Sequence, residues 1–282
     1  MLFAVFFKIM WILFTIFAAF FNSLWTAMSK HHLGRMSAYQ FTLLFRSLTA
    51  LMLLPPFLID FRLSSSPVFW YLVIAAGGLE VLGIYSQSLG VKKDFYSTFS
   101  LANTAPLFTL FIAPFILPEK ITVTLIFGAI LMVAGGFIFY KIGGEISFHG
   151  IFRAVNAALG GILAKIAIGY SSGYTYPFIT FIIGIWMMIL ISPFRKEPIR
   201  WHIYRPSIKR LLPLSLFSAI ATLLYYMAVQ IAPITKVNPL VRVNLVFGFL
   251  LSYFLLRERT HVKRKILASF LILLGSILVS MS

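Results

Sequence analysis

The stretch Phe-Ile-Leu-Pro-Glu-Lys-Ile-Thr at residues 115–122 returns as Phe-Leu-Leu-Arg-Glu-Arg-Thr-His at residues 254–261, 139 residues later. In each copy an apolar run ends, a glutamate and a basic residue follow, and a second apolar run begins. The same spacing pairs Asn103 with Arg242, Phe108 with Phe247 and Gly136 with Gly275. Similarity at one fixed spacing indicates an internal repeat. The sequence therefore predicts two related halves, residues 1–142 and residues 147–282.

Apolar runs of membrane-spanning length fill both halves. The chain is 60% hydrophobic and 11% charged, with a mean hydropathy of +0.96, whereas a soluble domain of this size carries more charge. A helix needs ~20 apolar residues to cross a bilayer, and the uniformly apolar runs lack the alternation of β-barrel strands. We therefore expect an all-α polytopic membrane protein. Its ten transmembrane helices are predicted near residues 9–29, 38–59, 68–88, 95–117, 121–140, 151–170, 174–193, 211–232, 237–256 and 266–282.

The number of helices in each half determines how the halves are oriented. Five helices per half is an odd number, so the second half must cross the membrane in the opposite direction to the first. Inverted repeats with a site near the midplane are a recurring plan of alternating-access carriers. The sequence therefore predicts two inverted five-helix repeats around a central cavity.

The positive charge of the chain lies mainly in the links between the predicted helices. The formal net charge is +17, and 17 of the 24 Lys and Arg residues lie in odd-numbered links, against four at the N-terminus and in even-numbered links. This bias predicts cytoplasmic odd-numbered links and both termini outside, in the inner (plasma) membrane of a prokaryote. Basic residues that set topology argue against nucleic-acid binding.

Several functional classes lack their sequence signatures. The chain has no cysteine, and its five histidines show no metal-ligand spacing, so we expect neither a metal site nor a bound cofactor. It also has no phosphate-binding loop of an ATP-driven pump and no nucleophile motif of an enzyme. These observations favour a transporter over an integral-membrane enzyme.

Local motifs at equivalent positions of the two halves identify a family resemblance. Each half ends in a glutamate motif, Glu119-Lys120-Ile121-Thr122 or Glu258-Arg259-Thr260, followed by a glycine-bearing helix. Arg46 precedes the run Leu-Thr-Ala-Leu-Met-Leu-Leu-Pro at residues 48–55. Over essentially the whole chain, this pattern resembles the EamA-like branch of the drug/metabolite transporter superfamily. The resemblance implies a ten-helix carrier with a central cavity that exports amino acids or other small metabolites. Arg242 departs from the apolar or small residue usual there in such carriers.

Four charged residues lie within predicted helices, where a charge costs ~2.5–3.5 kcal/mol on insertion scales and marks a site hypothesis. Arg46 and Glu80 each lie eight residues from a cytoplasmic helix end, so they are expected to meet ~12 Å inside that boundary. Lys165 and Arg242 each lie five residues from an outer end, which predicts an outer cationic pair. Asn103, the repeat partner of Arg242, is expected at the mirrored position across the midplane.

These charges suggest a substrate class. Two cations facing an apolar, aromatic cavity favour a carboxylate or phosphate group on the substrate. Glu80 is the candidate proton-coupling group, because burial disfavours a carboxylate and a nearby arginine favours it. The alternatives are that Lys165 and Arg242 extend to the headgroups, and that Arg46 and Glu80 form a structural ion pair.

Polar and aromatic side chains complete the list of site candidates. The predicted cavity wall includes Trp25, Tyr85, Asn156, Tyr225 and Asn238, and also Asn22, Gln87, Tyr226, Gln230 and Asn244. Each of them alone could instead form a hydrogen bond between helices. Glu119 and Glu258 are predicted to be structural caps, because a carboxylate at a helix N-terminus accepts from its free N–H groups.

The sequence thus predicts a secondary-active, alternating-access transporter of a small metabolite, with amino acids and other carboxylate- or phosphate-bearing solutes as candidates. We expect an exporter or exchanger that functions as a monomer in the lipid bilayer, coupled to a proton or a counter-substrate. The alternative is a flippase for a lipid-linked headgroup, which a laterally open groove lined by phenylalanine would favour.

Overall fold

The computed structural model describes residues 2–33, 36–93, 95–140, 147–192, 204–254 and 260–282, and every regular element in these ranges is helical. The first half contains α1 (Leu2–Leu33), α2 (Ala38–Ile59), α3 (Pro67–Lys93), α4 (Phe95–Ala102), α5 (Ala105–Ile116) and α6 (Val123–Tyr140). The second half contains α7 (Phe148–Ile168), α8 (Thr175–Ile191), α9 (Tyr204–Ile231), α10 (Ile234–Leu240), a 3-10 turn (Val241–Val243), α11 (Asn244–Phe254) and α12 (Val262–Met281).

These helices form ten apolar spans. Eight segments are long and apolar enough to cross a bilayer, and two shorter apolar helices lie within α6 and α8. Large apolar side chains also cover the outer surface; Phe115 is 82% exposed and Trp186 is 62% exposed. Such an apolar exterior suits lipid rather than water. The predicted all-α polytopic architecture is therefore confirmed.

The fourth and ninth spans are broken, whereas the sequence predicted two continuous helices there. The fourth consists of α4 and α5, which are separated by Asn103 and Thr104, and the ninth consists of α10, the 3-10 turn and α11. Pro106 explains the first break, because a proline ring clashes with the carbonyl four residues earlier, and α4 ends at that residue, Ala102. Pro239 lies two residues before the 3-10 turn in the equivalent span.

The packing of the helices repeats between the two halves. The first span, α1, packs along α9, and its counterpart α7 packs along α3. Likewise α2 contacts α9 as α8 contacts α3, while the pairs α2–α8 and α6–α12 join equivalent helices of the two halves. The ten spans therefore form two inverted five-helix repeats, in which α4 and α5 pack against α7, and α11 packs against α1.

The α6–α12 contact depends on two glycines that face each other. A Cβ atom added to Gly128 would lie 2.8 Å from the Gly275 carbonyl oxygen, and one added to Gly275 would lie 2.5 Å from the Gly128 carbonyl oxygen. Both distances are shorter than a real Cβ contact, so the two backbones are too close for any side chain. Small residues permit this close approach in membrane helices.

We expect Gly275→Ala to destabilise the protein by about 1–3 kcal/mol, because the added methyl group forces α6 and α12 apart. The matched control is Gly248→Ala in α11, where an added Cβ would meet nothing within 4 Å. The control should be neutral, or stabilising by about 0.5–1 kcal/mol. Thermal unfolding of the detergent-purified variants measures both, and equal melting temperatures would contradict the close contact.

Candidate functional site

A central cavity of about 180 Å³ lies between the inner helices of the two halves. It is bounded by α1, α2, α3, α7, α8 and α9 and by the broken fourth and ninth spans. Its lining is a mixture of aromatic, amide, hydroxyl and charged side chains. The lining residues are Ala18, Asn22, Trp25, Phe45, Glu80, Ile84, Gln87, Phe99, Ala102, Asn103, Arg153, Ala157, Gly161, Phe181, Ser218, Ala221, Thr222, Tyr225, Tyr226, Asn238, Val241, Arg242 and Asn244.

Arg242 projects into this cavity from the 3-10 turn of the ninth span. Its Nη1 donates to Asn103 Oδ1 at 3.2 Å, and its Nη2 donates to Asn238 Oδ1 at 2.6 Å. The amide nitrogen of Asn103 donates to the Phe99 carbonyl at 2.7 Å, and that of Asn238 donates to the Thr109 hydroxyl. These bonds leave both amide oxygens directed at the guanidinium.

The contact between Asn103 and Arg242 corrects the expected separation across the midplane. Two residues at mirrored positions can touch only if both lie in the middle of their spans. The ninth span begins at Ile234 rather than near residue 237, so Arg242 lies deeper than the sequence predicted. Both residues are located at the breaks of their spans.

Within the part of the chain that the structure describes, the hydrogen-bond partners of Arg242 are neutral amides. Among the described residues, the ion pairs join Glu80 to Arg46 and Arg153, and Asp60 to Arg62. None of these carboxylates lies within ion-pair distance of Arg242. An amide oxygen satisfies a donor without neutralising its charge, so a positive group remains at the centre of the protein.

Glu80 lies between two arginines, Arg46 and Arg153. The sequence predicted its contact with Arg46. Its Oε2 atom is 4.0 Å from Arg46 Nη1 and 3.5 Å from Arg153 Nη2. The Arg46 side chain is fully buried, and its guanidinium carbon lies 4.2 Å from the centre of the Phe181 ring. Arg46 therefore lies behind the cavity wall, where it contacts Glu80 and Phe181 rather than the cavity itself.

Arg153 is the charged residue of the cavity lining that sequence reasoning missed. It lies only two residues inside the predicted helix, which begins near residue 151, and was therefore counted with the basic residues of the preceding link, whereas α7 begins at Phe148. Ser147 marks the true start, since its side chain accepts from the Gly150 N–H, and this N-cap could have been recognised in the sequence. A Cβ on Gly83 would lie 2.9 Å from Arg153 Nη1, so that glycine makes room for the side chain.

The remaining predicted site residues separate into two groups. Trp25, Tyr225 and Asn238 line the cavity, as do Asn22, Gln87, Tyr226 and Asn244. Tyr85 and Asn156 do not: Tyr85 packs against a separate apolar cluster, and the Asn156 amide donates to the Phe152 carbonyl at 2.7 Å. Gln230 also lies outside the lining and accepts from the Gly173 N–H at 2.9 Å.

Lys165 does not line the cavity, which corrects the expected cationic pair with Arg242. Its Nζ donates to the carbonyls of Val229 and Ala232 at 2.6 and 2.9 Å. These carbonyls belong to the C-terminal end of α9, where a cation is favoured by the helix dipole and by the free carbonyl groups. The side chain therefore links α7 to the end of α9.

Glu119 caps a helix, but not the one that follows it in the chain. Its two carboxylate oxygens accept from the N–H groups of Ile234 and Thr235 at 2.9 and 3.0 Å and from the Thr235 hydroxyl at 2.7 Å. These groups begin α10 in the other half, where the N-cap residue Pro233 makes no side-chain cap bond. Glu258 lies outside the described residues, and its capping role stays a prediction.

We expect Glu119→Ala to destabilise the protein by about 0.5–2 kcal/mol, because α10 loses its cap. The exposed neighbour Lys120 provides the matched control, Lys120→Ala, which should leave the melting temperature unchanged. Thermal unfolding in detergent compares the two variants. A Glu119→Ala protein as stable as the control would show that the cap contributes nothing.

Comparison with known proteins assigns the family. The model of the EamA-like transporter family matches twice, at residues 9–141 and 147–281. A solved crystal structure of another protein shares the fold, with a TM-score of 0.75 at 14% identity over 96% of each chain. No curated protein matches by sequence. The two family matches cover nearly the whole chain, which therefore belongs to the EamA-like transporter family and is a multi-pass membrane transporter of the drug/metabolite transporter superfamily.

Proposed function

We propose that the protein is a secondary-active transporter of a small anionic metabolite, that it works by alternating access of the central cavity, and that it carries out no catalysis. The observation that carries this proposal is the guanidinium of Arg242, which faces the cavity with two neutral amides as its partners. A carboxylate or phosphate on the substrate would supply the missing negative charge. Guanidinium groups bind such anions through paired hydrogen bonds.

The surroundings of Arg242 support an anion rather than a cation. The cavity wall contains two arginines and one glutamate, and the glutamate already lies beside Arg46 and Arg153. Electrostatic attraction is stronger in a partly buried site than in water. A cationic substrate would therefore meet repulsion without a free carboxylate to offset it.

The geometry also supports a route into the cavity from one side. A smaller cavity of about 20 Å³ adjoins the central one and is lined in part by Thr26, Ser29 and Ser88. The residues common to both cavities are Trp25, Ile84, Gln87 and Phe99. We propose that these four side chains form the constriction through which the substrate passes, beside the link between α1 and α2.

At another point, side chains from each half hold the segment in which α9 ends and α10 begins. Glu119 of the first half bonds to the start of α10, and Lys165 bonds to the end of α9 immediately before it. Because α10 belongs to a broken span, its motion would carry Arg242 with it. We propose that the cavity is closed at this contact in one state and at the constriction in the other. Alternation between two such states is the mechanism of other inverted-repeat carriers.

We propose the inner (plasma) membrane of a prokaryote as the location, with the basic odd-numbered links in the cytoplasm and both termini outside. Export or exchange then moves the anion out of the cell. We propose that the protein functions as a monomer, since residues of one chain line the described cavity.

Counterflow in proteoliposomes tests the proposed function. We expect the wild-type protein to exchange small anions from a panel of anionic, zwitterionic and cationic metabolites, and Arg242→Gln to lower the initial rate at least tenfold. The loss follows from removal of a charge-assisted hydrogen bond, worth ~1.5–3 kcal/mol. The matched control is Arg62→Gln, since Arg62 is an exposed arginine that pairs with Asp60.

Preferred exchange of cations, or an Arg242→Gln variant with the rate of the Arg62→Gln control, would overturn the anionic substrate. Failure of every soluble solute, combined with movement of a labelled lipid-linked anion between leaflets, would favour a flippase instead.

A second measurement tests whether Glu80 couples transport to protons, which we also propose. In proteoliposomes that contain a pH-sensitive dye, we expect anion uptake by the wild type to change the internal pH. Glu80→Gln has no proton to exchange, so counterflow should persist while the pH change disappears. Glu80→Gln alone leaves the buried Arg46 charge without its carboxylate, which destabilises the fold. The double variant Arg46→Gln/Glu80→Gln removes this buried charge as well, and therefore separates loss of coupling from loss of folding. An unchanged pH response in either variant would contradict this role.

A further inference from the structure

We infer that the site selects a dianion, and that Arg153 is the specificity-determining residue that binds the second negative charge. This inference rests on the proposed function, because it names the class of anion that the central cavity takes. The candidates are small dicarboxylates and phosphate monoesters, which place two negative charges within one small molecule.

The first argument is the balance of charge around the cavity. Arg46, Arg153 and Arg242 contribute three positive charges, and Glu80 is the one acidic residue of the cavity lining that the structure describes. One carboxylate cannot neutralise three guanidinium groups, so two positive charges remain. Uncompensated charges are costly away from water. A bound dianion would neutralise the site, whereas a monoanion would leave one charge unpaired.

The second argument is the weakness of the contacts that Arg153 makes. Its Nη2 atom lies 3.5 Å from Glu80 Oε2, and its Nε atom lies 3.3 Å from Gln87 Oε1. Charge-assisted hydrogen bonds are usually ~2.7–2.9 Å long, so both contacts are at the long limit. A substrate carboxylate or phosphate that approached to the usual distance would compete successfully for this guanidinium.

Arg153 is also exposed to the cavity, unlike Arg46. The side chains of Arg153 and Glu80 are 18% and 17% exposed, whereas Arg46 is completely buried. Gly83 removes the steric barrier beside Arg153. Of the two arginines beside Glu80, Arg153 is therefore the one that a substrate can reach.

The third argument is that the cavity disfavours an ammonium group on the substrate. The amide oxygens of Asn103 and Asn238 accept from Arg242, that of Gln87 accepts from Arg153, and that of Asn22 accepts from Trp25 at 2.7 Å. Glu80 lies between two arginines. The lining also contains Asn244, whose side-chain oxygen has no hydrogen-bond partner among the described residues. That acceptor lies in the positive potential of the arginines, which opposes an ammonium group. The site favours a dianion without an amino group over a zwitterionic amino acid.

The size of the cavity is in keeping with one such molecule. Its volume of about 180 Å³ is below the ~300–1,000 Å³ of pockets that hold drug-sized ligands. Two charges on one small solute can reach two arginines in this space, whereas two separate monoanions would repel each other.

Ligand-dependent thermal unfolding of the detergent-purified full-length protein tests the inference with matched compounds. Succinate is compared with succinamate, in which one carboxylate is replaced by a neutral amide, and malate is compared with aspartate. Glycerol phosphate represents the phosphate monoesters. We expect succinate, glycerol phosphate or both to raise the melting temperature. The succinamate and aspartate affinities should be roughly ten- to hundredfold weaker than those of their dianionic partners.

Arg153→Gln should reduce the affinity for the dianion to that of the monoanion and leave the response to succinamate unchanged. Arg153→Lys keeps the charge and should retain part of the preference, which guards against a folding effect of the glutamine variant. Arg62→Gln, which removes an exposed arginine charge, should retain the whole preference.

The inference is wrong if succinamate or aspartate binds as tightly as its dianionic partner, if no dianion of the panel binds, or if Arg153→Gln keeps the full preference. The proposed function fails separately. If a monoanion is exchanged in an Arg242-dependent manner without any advantage for dianions, the proposed transport of an anion is supported and the proposed selection of a dianion is contradicted.

Discussion

Backbone groups within a bilayer must find hydrogen-bond partners inside the protein, and the central site depends on this constraint. A span can be broken in the middle only where protein or a cavity surrounds the break. Here both broken spans, α4–α5 and α10–α11, meet at the centre, and their breaks face the cavity. The interruption of the helices therefore forms the site. It brings Asn103 and Arg242 to the one depth at which two symmetry-related positions can touch.

The inverted repeat explains both the shape of the site and its charge. Symmetry supplies equivalent helix contacts, such as α1 with α9 and α7 with α3, and therefore a cavity between the halves. The charge of the site arises where the two halves carry different residues at equivalent positions. One broken span carries the amide of Asn103 and the other carries the guanidinium of Arg242, and the amide of the first positions the cation of the second. A symmetric pair of amides would have left the meeting point of the two broken spans polar but uncharged.

The fold followed from the sequence because hydropathy, segment length and the repeat spacing can be read directly from the order of the residues. The proximity of Arg46 and Glu80 was predicted from the depth of each residue in the membrane alone. The same reasoning failed for Lys165, because depth does not specify the rotation of a helix about its axis, and Lys165 faces the end of α9 rather than the cavity. Arg153 was missed because hydropathy placed the start of α7 three residues late. The partner of Glu119 was missed because a contact between halves leaves no local signal.

The charge that selects a substrate also bears on how the carrier moves. Under the proposed function, an empty carrier must reorient with two positive charges uncompensated, and their desolvation opposes closure of the cavity around them. A bound anion neutralises these charges and lowers that barrier, since a neutral site loses little when water is excluded. Reorientation of the loaded form is then favoured over that of the empty form. This difference promotes exchange of one anion for another over net movement of a single anion.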